Sequence, residues 1–210
     1  LSESSGNVAN VTLLMNSTVT QFDGSYGATR EDGWKTFNAT LAGDDNVLSF
    51  VLGATADAAK FGDVDVDIEV TGDDNDLSHT VANGLAADSL QFSGTVDGDS
   101  NYVLATIGAA GSIEYNYDII GDNNSYTSTI AGPASGGRTV DVSLTGDSNV
   151  WTVTANAAAG ILNVNSTGDS VTGTHTQTGA SSELVMDINK LGAAAFAVTT
   201  TQTGAASANV

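Results

Sequence analysis

Carboxylate groups at a repeated corner motif are the first candidates for chemistry in this chain. Five aspartates follow a glycine in the pattern Gly-Asp-x-Asn: Asp44, Asp73, Asp99, Asp122 and Asp147. If the repeats stack, these carboxylates form one column about 4.8 Å apart, where like charges repel by roughly 1 kcal/mol in water. Bound Ca²⁺ would relieve this repulsion, although aspartates that cap turns need no metal. We expect no metal or cofactor, and keep calcium at these five aspartates as the alternative.

Groups suited to catalysis are few. His79 and His175 are the only histidines and cysteine is absent, which excludes Cys-based and multi-His metal sites and leaves little material for a Ser-His-Asp triad. Both histidines lie seven residues after a repeat glycine, so we interpret them as half-buried repeat residues rather than a dyad. Asp65, Asp67 and Glu69 could act on a glycan, but they alternate with apolar residues like the solvated face of a strand. The sequence predicts no enzyme.

Threonines form another candidate surface. They occur at Thr172, Thr174, Thr176 and Thr178, and again at 199–201 and 203. Outward Thr-x-Thr ranks on a flat solenoid can order water and bind ice, although threonine is also a good strand residue. In the sequence this rank is confined to the last two repeats. An ice- or carbohydrate-binding module, or a monomeric adhesin, is therefore the alternative function.

A repeat positions all of these groups. Its glycines are separated by 22 to 29 residues, and they are Gly43, Gly72, Gly98, Gly121 and Gly146, with a degenerate copy at Gly168. Such a period is typical of solenoids and other stacked repeats. Apolar residues alternate with polar ones before each glycine, as in Val66, Ile68 and Val70, which indicates a half-buried strand. The alternation resumes after the corner, so each unit contains two strands.

We therefore expect an all-β fold, a β-solenoid of about seven to eight two-strand coils with 22–29 residues per coil. A sandwich or barrel of hairpins is the alternative, but equivalent residues at equivalent offsets through six copies favour the solenoid. An asparagine lies three residues after each of five glycines: Asn46, Asn75, Asn101, Asn124 and Asn149. These side chains would either form an inward ladder between coils or only cap the corner.

The repeat predicts two parts of the chain. Residues 37–210 form the solenoid repeat domain, and residues 1–36 form a degenerate first coil with an inserted loop at 23–36, which would act as a cap or contact segment. The sequence starts at Leu1 rather than Met, so we expect that a preceding segment was removed. No apolar run approaches the length of a membrane span.

The net charge of the chain restricts the classes of partner that it can bind. The net charge is −20, from 25 acidic and 5 basic residues. A polyanionic surface repels phosphate backbones, so nucleic acid is excluded as a partner, and the charge suits a saline environment or cation binding. The absence of cysteine is compatible with an oxidising compartment. We expect an extracellular, cell-surface or virion-surface location.

The unit of strand, Gly-x-x-Asn corner, strand and return resembles the curlin repeat of secreted bacterial amyloid fibres. The Gln-x-Gly triplets at 177–179 and 202–204 add to the resemblance, which covers roughly residues 37–210. It implies a solenoid whose coils stack within and between subunits, without catalysis. Curlin repeats carry Gln and Asn ladders on both strands, whereas most inward positions here are apolar or aromatic. The repeats also look like Gly-Asp-Asn-rich fibrous proteins of marine phages. We therefore expect a fibre subunit whose partner is a copy of itself.

Overall fold

The computed structural model describes residues 8–14, 20–26, 35–53, 63–83, 89–108, 111–131, 137–156, 160–178, 182–189, 192, 197–203 and 207–209. Within these ranges all regular structure is β-strand, and no helix occurs. The described part of the chain accordingly contains no helix long and apolar enough to cross a membrane.

The strands fall into two sets that alternate along the chain. The odd-numbered strands are β1 (Val8–Leu14), β3 (Lys35–Ala42), β5 (Asp63–Thr71), β7 (Ser89–Asp97), β9 (Ile113–Ile120), β11 (Arg138–Thr145), β13 (Gly160–Thr167), β15 (Ser182–Asn189) and β17 (Ser207–Asn209). The even-numbered strands are β2 (Thr20–Tyr26), β4 (Asn46–Gly53), β6 (Asp76–Asn83), β8 (Tyr102–Ile107), β10 (Ser125–Ala131), β12 (Val150–Asn156), β14 (Thr172–Thr178) and β16 (Ala197–Thr203).

Each set forms one parallel sheet, which we call the odd sheet and the even sheet. The odd sheet runs from β1 to β17 and the even sheet from β2 to β16, each in chain order. Every strand therefore pairs with its equivalent in the next coil, as in β10 with β12, and never with its sequence neighbour. The prediction of a parallel β-solenoid is confirmed, and the hairpin sandwich or barrel is wrong. About five turns separate the first and last of the six corners described below.

Alternation of side chains places the core between the two sheets. In β11, Val140, Val142 and Leu144 are at most 2% exposed, while the residues between them are partly accessible to solvent. Since neighbouring coils pair in register, each inward residue lies over its equivalent in the next coil. A shift of one residue would turn a whole strand inside out, so the alternating pattern also fixes the register.

Size complementarity between coils fills the core. Tyr117 pairs with Gly94 of the preceding coil, and a Cβ at Gly94 would lie 2.4 Å from the tyrosine ring. Trp151 likewise pairs with Gly173, where a Cβ would lie 2.2 Å from the indole. Each large ring thus occupies space that a glycine leaves empty. Close packing of this kind makes core substitutions costly in both directions.

The segment predicted within residues 1–36 is described in part. β1 pairs in register with β3, and β2 pairs in register with β4. β2 continues to Tyr26 and β3 starts at Lys35, so the described ends of the predicted loop are strand. Residues 27–34 lie outside the described residues. The division of the chain at residue 36 stays a prediction.

Candidate functional site at the stacked corners

Each corner between an odd and an even strand has the same backbone conformation. Its glycine has φ between 124° and 150°, and the residue two positions later has φ between 56° and 60°. The six glycines are Gly43, Gly72, Gly98, Gly121, Gly146 and Gly168. The left-handed residues are Asp45, Asp74, Ser100, Asn123, Ser148 and Ser170. Asp and Asn are tolerated there because their short side chains hydrogen-bond locally.

Close stacking is a second reason for the glycines. A Cβ at Gly72 would lie 2.1 Å from the carbonyl oxygen of Gly43 in the preceding coil, and the corners at Gly98 and Gly121 show the same 2.1 Å approach. These distances are far inside van der Waals contact. The corner can therefore stack only where the glycine position carries no side chain.

The corner aspartates form a ladder of hydrogen bonds, in which each carboxylate reaches forward to the next coil. Each carboxylate Oδ1 accepts a hydrogen bond from the backbone N–H of the equivalent aspartate in the next coil. Asp73 donates to Asp44 at 2.9 Å, Asp99 to Asp73 at 2.7 Å, and Asp122 to Asp99 at 2.7 Å. Asp147 donates to Asp122 at 2.6 Å in the same way. Charge-assisted bonds of this type each contribute about 1.5–3 kcal/mol, which outweighs the roughly 1 kcal/mol of repulsion between neighbouring carboxylates.

The corner asparagines form a second ladder of hydrogen bonds, in which each side-chain oxygen reaches back to the preceding coil. The backbone N–H of Asn46 donates to Oδ1 of Asn75 at 2.9 Å, and Asn75 donates to Asn101 in the same way. The pattern continues from Asn101 to Asn124 at 2.8 Å and from Asn124 to Asn149 at 2.8 Å. All five asparagines are at most 1% exposed. The ladder between coils is therefore present, and it joins side chain to backbone rather than amide to amide.

Asn149 also holds its own corner. Nδ2 of Asn149 donates to the carbonyl oxygen of Gly146, three residues earlier, at 3.1 Å. It also donates to Gly121 of the preceding coil at 3.0 Å. At Asn149, capping and ladder formation, the two interpretations left open by the sequence, are thus performed by the same side chain.

Backbone bonds between coils complete the corner. The N–H of Gly98 donates to the carbonyl of Ile120 at 2.9 Å, and that of Ser100 donates to Asp122 at 2.9 Å. The two ladders serve the N–H groups of the Asp and Asn positions. In the corner from Gly98 to Asn101, all four N–H groups are therefore bonded to an adjacent coil.

The aspartates thus have a role that requires no cation. Among the described residues, no group of three or more His, Cys, Asp or Glu side chains is arranged to hold a metal ion. Calcium binding at Asp44, Asp73, Asp99, Asp122 and Asp147 stays a prediction, and the hydrogen bonds already account for the carboxylate at each position.

The two histidines lie in one inward column of the even sheet. His79 and His175 are separated there by Ala105, Ser128 and Val153, so they cannot act together. Both are fully buried, at 2% and 0% exposure, rather than half-buried. Burial lowers the pKa of His79 to about 3 and that of His175 to about 4, so both are neutral at pH 7.

Aromatic rings surround His79. Its imidazole stacks on Phe92 with ring centres 4.9 Å apart, and on Tyr117 with centres 5.7 Å apart. Tyr115 continues the stack from Phe92, and its hydroxyl lies 2.8 Å from that of Tyr126. Burial raises the pKa of Tyr115 and Tyr117 well above the usual tyrosine value. These polar rings are therefore part of the core.

The outward side of the odd sheet, which we call the acidic face, carries most strand carboxylates. Its acidic residues are Asp65, Asp67, Glu69, Asp97, Glu114, Asp118, Asp141, Glu183 and Asp187. Partial burial, followed by the charge of Asp67, raises the pKa of Asp65. Asp67 and Glu69 are exposed. The three carboxylates proposed for acid–base chemistry lie on an open strand surface, as the solvated-face interpretation expects.

The outward side of the even sheet from β6 to β16, which we call the threonine face, is larger than the sequence suggested. Register places one column of threonines across six strands: Thr80, Thr106, Thr129, Thr154, Thr176 and Thr201. A parallel column contains Thr127, Thr152, Thr174 and Thr199. The Thr-x-Thr rank therefore spans four coils, and its confinement to the last two repeats is wrong.

No protein-family model matches this chain, and neither a curated protein nor a solved structure matches it. The two corner ladders and the two unlike faces are therefore the features that bear on its function.

Proposed function

We propose that the chain is a non-enzymatic structural protein, a subunit of an extracellular or virion-surface fibre that assembles through exposed strand edges of its β-solenoid. A solenoid of seven to eight coils is part of the proposal, supported by sheets of nine and eight strands. The observation that carries it is the coil-to-coil contact. The same corner bonds recur at each step from Gly43 to Gly168, so one coil end is complementary to the other.

Complementary ends favour linear addition of copies. A head-to-tail contact between unlike surfaces that does not close into a ring generates a filament. Backbone donors on a sheet edge are a template for pairing with another chain. The strand pairing of both sheets would continue across such a joint, because it needs only a further coil in the same register.

The edge at β16 shows which groups would take part. The N–H of Ala197 donates to Val171 of the preceding coil at 3.0 Å. Since successive residues of a parallel strand bond to alternate sides, Thr199 and Thr201 direct their N–H groups towards β14. Thr200 directs its N–H to the opposite side, where no described strand lies. In the proposed fibre this donor would bond to a strand of a second copy.

A curlin-like assembly is the form of fibre that we propose. It is supported by parallel in-register coils and by buried Asn ladders that run along the stack. The apolar and aromatic core is a difference, since cohesion within a coil would come from hydrophobic packing rather than from polar ladders on both strands. The extracellular or virion-surface location is supported by a net charge of −20, which favours solubility of an exposed polymer.

The absence of enzymatic activity is supported by the positions of the polar groups. His79 and His175 are buried in separate coils, and Asp65, Asp67 and Glu69 lie on an open strand surface. Nothing in the described core combines a nucleophile, a base and an accessible cleft, which a catalytic site requires.

Negative-stain electron microscopy of the purified protein tests the proposal. We expect unbranched filaments whose diffraction shows a spacing of about 4.8 Å along the filament axis, because the strands lie across it. Thr200→Pro removes the edge donor and should abolish filaments while the melting temperature of the single chain is retained. Thr200→Ala, which makes a similar side-chain loss but keeps the N–H, should form filaments like the unchanged protein.

Discrete particles of single-chain mass at every protein concentration would contradict the fibre proposal. Filaments formed equally by the proline and alanine variants would show instead that β16 is not the joint. Short single rods that retain a ligand would favour the adhesin or binding-module function.

A further inference from the structure

The threonine face is a regular two-dimensional array of hydroxyl groups. Along β12, Thr152 and Thr154 are separated by two residues, or about 6.6 Å. Across the sheet, Thr154 pairs with Thr129 on one side and Thr176 on the other, at the strand separation of about 4.8 Å. From β6 to β16 no shift of register interrupts the column. The hydroxyls therefore repeat with two fixed periods, as lattice points do.

The threonine side chains are held in place. Threonine is branched at Cβ, so its χ1 angle has few allowed values, and the strand backbone is fixed by ladder bonds on both sides. Both methyl and hydroxyl groups stand on the outward side, where Thr174, Thr199 and Thr201 are exposed and Thr152 and Thr154 are partly exposed. An ordered array loses little conformational entropy when it binds an ordered partner.

Charged side chains are nearly absent from the described part of this face. From β6 to β16, Asp76 is the one charged residue among the described outward side chains, and it lies at the β6 end. The acidic face of the same molecule carries nine carboxylates over its own strands. Since the net charge is −20, a face almost without charged side chains means that the charge is concentrated on other parts of the surface. It favours a neutral partner over an ion, a nucleic acid or a charged protein.

We propose that the threonine face binds the surface of an ice crystal. The oxygen atoms of hexagonal ice repeat at distances similar to the two periods of the array, so threonine hydroxyls can take positions continuous with the lattice. The methyl groups between them limit competing water contacts. Charged side chains, which keep tightly bound hydration shells, would disturb the lattice. They are absent from the described outward positions of the even strands β8, β10, β12, β14 and β16.

The inference is independent of the proposed fibre. Filament growth uses the ends of the coils, whereas the threonine face lies along the side of the stack. Assembly would repeat the array once in each copy, with β2 and β4, whose column positions are Ser25 and Val51, between successive arrays. Ice binding by a single chain and by a filament therefore differ in strength but use the same surface.

Ice-affinity partitioning tests the inference. The full chain is placed in dilute solution, a polycrystalline ice phase is grown slowly, and the protein in the ice and liquid fractions is measured. We expect the unchanged protein to be concentrated in the ice. Thr154→Lys puts a strongly hydrated charge at the centre of the array, and we expect loss of incorporation.

Thr95→Lys is the matched control. Thr95 is also partly exposed, but it lies on the acidic face between Glu69 and Asp118. This variant has the same composition as Thr154→Lys and should enter ice like the unchanged protein. Circular dichroism of both variants establishes that the solenoid is retained.

Two results would overturn the inference. Exclusion of the unchanged protein from ice, at the level of an unrelated acidic protein, would show that the array does not bind the lattice. Equal incorporation of both lysine variants would show trapping without a specific face. If Thr154→Lys instead changed only the sedimentation of the protein, the face would be a contact between copies of this chain.

Discussion

Substitution of a corner glycine should destabilise the solenoid more than any conservative surface change. Alanine at Gly121 would place Cβ 2.1 Å from the carbonyl oxygen of Gly98, on a backbone whose φ is 125°. The unfavourable φ costs about 1–2 kcal/mol for a residue with a side chain. Relief of the overlap must separate the coils, which weakens the two backbone bonds donated by Gly98 and Ser100 at about 0.5–1.5 kcal/mol each. We expect a loss of about 2–5 kcal/mol in the free energy of unfolding.

Urea titration measures this loss. Far-ultraviolet circular dichroism reports the strands, and tryptophan fluorescence includes Trp151, which is fully buried in β12. Repeat arrays can unfold in parts, so the two probes should be compared. Because the coils next to Gly121 share the strained corner, both transitions of Gly121→Ala should move to lower urea.

Gly137→Ala is the control for this experiment. Its Cβ would meet nothing within 4 Å, and Gly137 lies outside the left-handed region. Alanine there should be neutral or should stabilise by about 0.4–1 kcal/mol, through a less flexible unfolded chain. If the two variants unfold at the same urea concentration, the close stacking of corner on corner is refuted.

Three further predictions concern the ladders, the left-handed corner residues and the histidines. Asn124→Ala should cost about 1–3 kcal/mol in urea titration, because the buried N–H of Asn101 loses its acceptor; an unchanged midpoint would argue against the ladder. Ser148→Gly should raise the melting temperature, since φ of 60° costs glycine nothing, whereas a lower melting temperature would show that the hydroxyl matters more than the strain. Stability should fall as pH is lowered from about 6.5, because the unfolded chain protonates His79 and His175 while the folded chain does not until about pH 3 and pH 4 respectively. The slope is about 1.4 kcal/mol per pH unit for each histidine, and His79→Phe should remove one histidine's share; an unchanged acid dependence would show that carboxylates dominate it.

The coil architecture could be predicted because burial restricts the residue types both within each strand and between neighbouring coils. Residues such as Val66, Ile68 and Val70 must alternate with polar ones to fill the space between the sheets. Their equivalents in the next coil must do the same, since parallel pairing stacks like on like. In this sequence, apolar and polar residues alternate within each strand, and the strands recur in a longer repeat marked by glycine. Few folds can bury every apolar position of such a sequence.

The direction of the corner ladders could not be predicted from residue types. An aspartate and an asparagine two residues apart can each accept a hydrogen bond from the coil before or from the coil after. The choice depends on the left-handed residue between them, at Asp74 for example, which turns the N–H of Asn75 towards the next coil. Sequence indicates that these side chains stack, and only the backbone path shows that Asp73 and Asn75 reach in opposite directions.

The buried Arg138 was not predicted for a related reason. It lies at an inward position and is 2% exposed, where a cation is rarely found. A Cβ at Gly160, the paired position in the next coil, would lie 2.7 Å from the guanidinium. The side chain therefore fits because its neighbour has none. Space of this kind is a property of two coils together, and the alternation within one strand does not reveal it.

The threonine columns were obscured by unequal return segments, which make the repeat length vary from 22 to 29 residues. Counted from the corner glycine the column is regular, because Thr80, Thr106, Thr129, Thr154 and Thr176 all lie at the eighth following position. Folding alone does not require this residue, since outward positions of the acidic face hold Asp, Glu, Asn, Ser and Thr with the same strand geometry. Strand propensity is satisfied by valine or isoleucine as well. Threonine at the same outward position in successive strands of one sheet therefore favours the explanation that a partner of this surface requires the hydroxyl group. For this reason the threonine face is tested separately from the coil ends.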